Sequence, residues 1–134
     1  MGKKYWTFET FENGLETVWK EYQVIVMRYL WALEEGEEGA GSGKSWEATN
    51  LVLKKRGRSI SRASIIFFLN DMVDEGILNY RERTGKGGHH RIYSPALDET
   101  GFKEYLARHI ISKLMKEFPD ETKKVILGAQ KGRP

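Results

Sequence analysis

The sequence predicts a mainly α-helical chain carrying one small β-hairpin. Three observations lead to that class. Apolar residues recur at helical spacing in residues 16–33, 46–56, 62–75 and 98–118. Between the last two, residues 78–94 alternate on a period of two about a glycine-rich centre, as paired strands do. Glycine or proline stands at the junctions, at Gly57, Gly76, Pro95 and Pro119.

Composition narrows the possibilities. A chain of 134 residues, 40% apolar, has the length of one domain with a modest core. It has no cysteine, which removes disulfides, thiolate metal sites and cysteine nucleophiles. No apolar run approaches the roughly 18 residues of a membrane span. The opening M-G-K-K-Y-W-T-F lacks the apolar stretch of a signal peptide, so the expected compartment is the cytoplasm. The net charge of +3 is uneven. Residues 1–50 hold five Lys/Arg against nine Asp/Glu, residues 51–91 nine against four, and residues 92–134 eight against six. The basic excess falls in residues 51–91, the stretch that runs from the second helix through the third to the hairpin, as a phosphate-binding face would require. A solvated basic surface is the plainer alternative.

In chain order, residues 5–11 are aromatic and form an arm that packs on the body or on a second subunit. Residues 16–33 read as one helix, with Val18, Tyr22, Ile25, Tyr29 and Ala32 in a row and Val26, Met27, Leu30 and Trp31 widening the stripe. Residues 34–44, E-E-G-E-E-G-A-G-S-G-K, read as a flexible acidic loop. Within it, Gly43, Lys44 and Ser45 match the end of a phosphate-binding P-loop, G-x-x-x-x-G-K-[ST]. The first position is Glu38 instead of glycine, and a helix precedes it where a buried strand should, so the loop reading is preferred. Ser45 is placed to cap the helix 46–56, with Trp46, Thr49, Val52 and Leu53 inward and Lys54, Lys55 and Arg56 at its C-terminus. Ser61 caps the helix Arg62–Glu75, whose core face is Ile65, Phe68, Leu69, Met72 and Val73. Gly76 stops it. In the hairpin, alternation sets Leu78, Tyr80 and Ile92 against Arg81, Arg83 and Arg91, with residues 84–88 as the tip. Residues 98–118 are a second long helix with the row Phe102, Leu106, Ile110 and Leu114, and Ile111 and Phe118 beside it. Pro119 breaks the chain, Val125, Ile126 and Leu127 form one more apolar turn, and the tail is basic.

A helix that ends in a hairpin after a short turn is the arrangement of a winged helix-turn-helix, which places one helix in the major groove of DNA and steadies itself with the hairpin. The domains on this reading are an arm (1–15), the winged unit (16–95), a dimerisation segment (96–128) and a loose tail (129–134). The candidate DNA contacts are as follows. Arg62, Ser64, Ile66 and Phe67 lie on the first two turns of the reading helix, with Ser61 at its cap and Ser45 capping the helix before. Lys55 and Arg58 flank the turn, and Arg83, Lys86, His89, His90 and Arg91 sit on the wing. Ile66 and Phe67 are unusual there. They suit thymine methyls, or an apolar protein surface. The unpartnered stripe of Phe102, Leu106, Ile110, Ile111, Leu114 and Phe118 suits a second copy of the chain.

Val26 to Trp31 (V-M-R-Y-L-W), Arg62 to Leu78 (R-A-S-I-I-F-F-L-N-D-M-V-D-E-G-I-L) and Arg91 to Pro95 (R-I-Y-S-P) together resemble the penicillinase-repressor family of BlaI, MecI and CopY, with a wider similarity to MarR-like regulators. The resemblance covers roughly residues 23–118. It implies a homodimeric repressor on a palindromic operator, with Ser64, Ile66 and Phe67 facing the groove and Lys86 and Arg91 on the wing. The sequence departs from the family at Ile66, Phe67 and Asp71, where polar or basic residues are usual. It also lacks the Cys-x-Cys of the copper-responsive branch and any clear equivalent of the proteolysed site. The effector is therefore left open. A winged-helix protein-interaction module docking through Ile66 and Phe67 is the main rival reading, and a nucleotide-binding protein is a third. No catalytic constellation can be assembled, so an enzyme is not expected. Neither a cofactor nor a metal is expected: His89 and His90 are adjacent on a strand and point to opposite faces.

Overall fold

The computed structural model describes residues 6–33, 39–85 and 88–130. The chain divides into two units, Met1–Asp98 and Glu99–Pro134. Among the described residues there are five α-helices and one two-stranded antiparallel hairpin, so the architecture is mainly helical with a small β element.

In the first unit the expected helix over 16–33 is two pieces, a 3-10 turn Gly14–Thr17 and α1 Glu21–Trp31. The break allows Val18 and Trp19 to turn inward, where they are 4% and 3% exposed. Trp19 then meets the edge of Phe68 at 5.8 Å. Lys20 is extended, and its backbone N–H donates to Gln23 Oε1 at 2.8 Å, which opens α1 afresh. The buried stripe of α1 is Val24, Val26, Met27 and Leu30. The row Tyr22, Ile25 and Tyr29 is only half-buried and Ala32 is exposed, a correction to the expected face. The N-terminal arm packs on its own body: Thr7 N–H donates to Val18 O at 3.1 Å, and the Trp6 indole donates to Glu75 at 2.7 Å.

Helix α2 spans Ser42–Lys55, starting four residues earlier than expected, with Gly41 at its N-cap. The flexible loop expected over 34–44 is ordered in its second half, and residues 34–38 lie outside the described residues. Ala40 exchanges two backbone hydrogen bonds with Tyr93, each 2.9 Å. Gly39 makes this approach possible: φ is +113°, and a Cβ there would overlap the Tyr93 carbonyl.

Helix α3 is Arg62–Glu75, as expected, with Ser61 accepting from Ser64 N–H at 3.1 Å and Gly76 left-handed at the stop. The segment before it is held along α2. Asn50 accepts from Ile60 N–H at 2.9 Å and donates to Ile60 O at 3.0 Å, and the Trp46 indole donates to the same oxygen at 2.8 Å. Ile65, Leu69, Met72 and Ile77 are fully buried with Val26 and Met27, forming the core.

Strands β1 Leu78–Gly85 and β2 Gly88–Pro95 pair with Tyr80 opposite Tyr93, Arg81 opposite Ile92 and Glu82 opposite Arg91. Residues directly opposite share a face. Ile92 is therefore on the face of Arg81 and Arg83, and Arg91 is on that of Leu78 and Tyr80. This reverses the expected partition of those two residues. The expected five-residue tip would have set a different register, but the ladder continues to the Gly85–Gly88 pair.

The second unit holds α4 Glu99–Glu117 and α5 Pro119–Gln130. Pro119 separates the helices, but it also opens the second one, since a proline at the first helical position loses no internal hydrogen bond. Val125, Ile126 and Leu127 thus belong to a 12-residue helix. Thr122 Oγ1 donates to Leu114 O at 3.1 Å across the junction. Among the described residues no helix is long and apolar enough to cross a membrane.

Candidate nucleic-acid interface

Three elements of the first unit converge on one surface. Because the segment 57–61 runs back along α2, Arg62 at the start of α3 returns to the N-terminus of α2. Its guanidinium lies 3.5 Å from Ser42 Oγ and against Gly43. Strand pairing puts Arg83 opposite His90 on the hairpin face that also carries Ile92. These residues line a cavity of about 350 Å³ together with the 39–44 segment. Lys44, Arg62, Arg83 and His90 supply its cationic groups. Among the described residues no acidic one lines it.

Beside this cavity, the first two turns of α3 expose Arg62 and Ala63, with Phe67 at 67% exposure. Ile66 is half-buried, so only Phe67 of the apolar pair stands out fully. Ser61 and Ser64 bond to each other, Oγ to Oγ at 2.9 Å, and so shape the helix start.

Other candidates lie elsewhere. Ser45 does not cap α2 and is inaccessible: it is fully buried and donates to Gly41 O at 2.8 Å, which removes it as a contact. The same bond turns away the hydroxyl that a P-loop would offer to a metal ion, so the Gly43-Lys44-Ser45 match does not extend to that geometry. Arg58 is committed to Glu21, with Nη2 at 2.6 Å and Nε at 2.7 Å, and Arg56 joins at 2.8 Å. These hydrogen bonds, from Arg58 first and then Arg56, hold the Glu21 carboxyl down at about 2. This cluster sits with exposed Lys55 at the C-terminal end of α2. A 14-residue helix is about 20 Å long, so the basic residues at its two ends form two separate groups.

Arg91 is likewise tied to the body. Its Nη1 donates to Asn70 Oδ1 at 3.1 Å and its guanidinium stacks 3.9 Å from the Tyr80 ring centroid. Tyr93 OH donates to the same Asn70 oxygen at 2.6 Å, and burial pushes the phenol pKa up. Asn70, which the sequence did not single out, is the joint between α3 and the hairpin. Its signal was weak, a polar residue at the margin of the core stripe. His89 lies on the opposite face from His90, 3.5 Å from Thr84 Oγ1 and 4.0 Å from Glu82. Lys86 lies outside the described residues. Among the described residues no three His, Asp or Glu side chains gather as a metal-ligand set.

In the second unit Phe102 is fully buried within the single chain and so cannot face a partner, which corrects its assignment to a dimer face. Leu106 and Ile110 are half-buried. Ile111, Leu114 and Phe118 are 45%, 41% and 58% exposed, and α5 adds Val125 at 70%. An apolar groove of about 350 Å³ runs between them.

Against known proteins, the chain matches no family model, no curated protein and no solved structure.

Proposed function

We propose that the first unit is a winged helix-turn-helix that binds double-stranded DNA, with α3 in the major groove and the hairpin on the flanking backbone. A sequence-specific regulator of the penicillinase-repressor type is the particular reading, acting as a homodimer through the exposed apolar face of α4 and α5. One observation carries it: the exposed first turns of α3 adjoin a cavity lined by Lys44, Arg62, Arg83 and His90. Cations beside a reading helix position a duplex through its phosphates, while side chains of the helix select bases. Only the N-terminal half of α3 would enter the groove, which keeps exposed Asp74 away from phosphates.

Fluorescence anisotropy on a labelled random duplex, across a salt series, tests the general claim. Arg62→Ala and Arg83→Ala should each lower the log–log salt slope by about 0.9. Absence of binding at low salt would sink it. Selection from random duplexes tests specificity, with a palindrome of half-sites about one helical turn apart as the expected product.

The 67% exposure of Phe67 favours a second reading, docking to an apolar protein surface. A chain that ignores heparin and random duplex at low salt, and enriches no sequence, belongs to that class.

A further inference from the structure

The cavity at the start of α2 has a property that a general basic surface does not need. Cations are gathered at the positive end of a helix dipole, where they are disfavoured unless an anion joins them. The first turn of α2 carries Lys44 and no acid. The Arg62 guanidinium is packed so close to Gly43 that a Cβ there would stand 3.3 Å from its Nη2. Arg83 and His90 close the site from the hairpin. Among the described residues, no ion pair neutralises Lys44, Arg62 or Arg83. Gly41, the N-cap, has no side chain to accept from the first N–H groups of the helix, which lack intrahelical acceptors. Side-chain cations from α2, α3 and the hairpin lining one concave space at the start of a helix suit a tetrahedral oxyanion.

We propose that this cavity is a binding site for a phosphate group. Its volume of about 350 Å³ is at the small end of ligand pockets, enough for a phosphate and part of the molecule that bears it. That molecule is either the backbone of a bound duplex or a small free phosphate compound. Only the first source rests on the DNA reading given above. The Gly43-Lys44 pair that resembles a P-loop acquires a role here without a nucleotide fold: glycine admits Arg62, and lysine contributes charge at the helix start.

The test uses the full chain, labelled with nitrogen-15, titrated with inorganic phosphate at constant ionic strength against sodium chloride. Phosphate should produce saturable shifts at the amides of Ser42, Gly43 and Lys44. Arg83→Ala and Lys44→Ala change exposed residues and should preserve the rest of the spectrum. Each should weaken phosphate binding by about tenfold, as loss of one charge-assisted contact implies. Shifts that are diffuse, unsaturable or equalled by chloride would overturn the proposal, as would variants that bind phosphate like the parent. A second arm identifies the source. If phosphate displaces random duplex beyond the chloride control, and Arg83→Ala abolishes that excess, the site holds a backbone phosphate. If phosphate binds saturably in a chain that does not bind DNA, or leaves duplex affinity untouched, the site serves a free phosphate compound and the DNA reading falls or stands apart from it.

Discussion

Asn70→Ala should loosen the joint between α3 and the hairpin. Asn70 Oδ1 accepts from Tyr93 OH at 2.6 Å and from Arg91 Nη1 at 3.1 Å. Alanine leaves both donors without that acceptor. Tyr93 is 3% exposed, so its hydroxyl has little water to turn to, whereas half-buried Arg91 keeps its stacking on Tyr80 and regains solvent. Most of the cost therefore comes from the phenol, and the sum is about 2 kcal/mol. For a unit of this size that lowers Tm by about 8 °C or more. Tyr93→Phe removes only the donor and should cost about 1 kcal/mol. The double variant should fall short of the sum by about 1 kcal/mol, since both changes remove the same bond. The assay is urea unfolding followed by tryptophan fluorescence. All four tryptophans, Trp6, Trp19, Trp31 and Trp46, lie in the first unit, so the signal reports that unit alone. An Asn70→Ala variant within about 0.5 kcal/mol of the parent, or strict additivity in the cycle, would refute the shared-acceptor account.

Three further outcomes are expected. The Glu21 carboxyl is held at about 2, below its ordinary 4.5, so the stabilisation from its two arginines is complete above about pH 5 and is lost as pH falls toward 2. Glu21→Gln should therefore lower Tm at pH 7 and flatten its decline between pH 5 and pH 2, and an unchanged acid limb would count against the pairing. Gly39→Ala should cost at least about 2 kcal/mol, because φ of +113° and the Tyr93 carbonyl both exclude a Cβ, and thermal melts would show it. Leu114→Glu, on the exposed apolar face of α4, should convert a dimer to a monomer in light scattering, while a parent chain already monomeric at high concentration would remove the homodimer proposal.

Much of the fold was legible because local chemistry settled it. Ser61 and Gly76 bound α3 in the sequence as in the structure, since a cap hydroxyl and a left-handed glycine act within one turn. The first helix was misjudged because its periodicity continues through Val18 and Trp19. Only the pull of the core on the indole interrupts it there. The start of α2 was missed for the opposite reason: S-G-K-S has little helical preference, and the bridge from Ala40 to Tyr93 orders it.

The sequence by itself determined α3 with its apolar face, the presence of the hairpin, the long helix α4 and the segment where basic residues concentrate, because these depend on spacing along one strand or helix. Tertiary structure decided which of those basic residues act together. Arg58 and Arg62 are four positions apart in the chain, yet one clamps Glu21 and the other returns to Gly43 at the far end of α2. Strand register, set by the Gly85–Gly88 pair, sent Arg91 to Asn70 and left Arg83 facing the cavity. Charge counts are additive along a sequence, but a binding site depends on which charges the backbone brings within reach of one another.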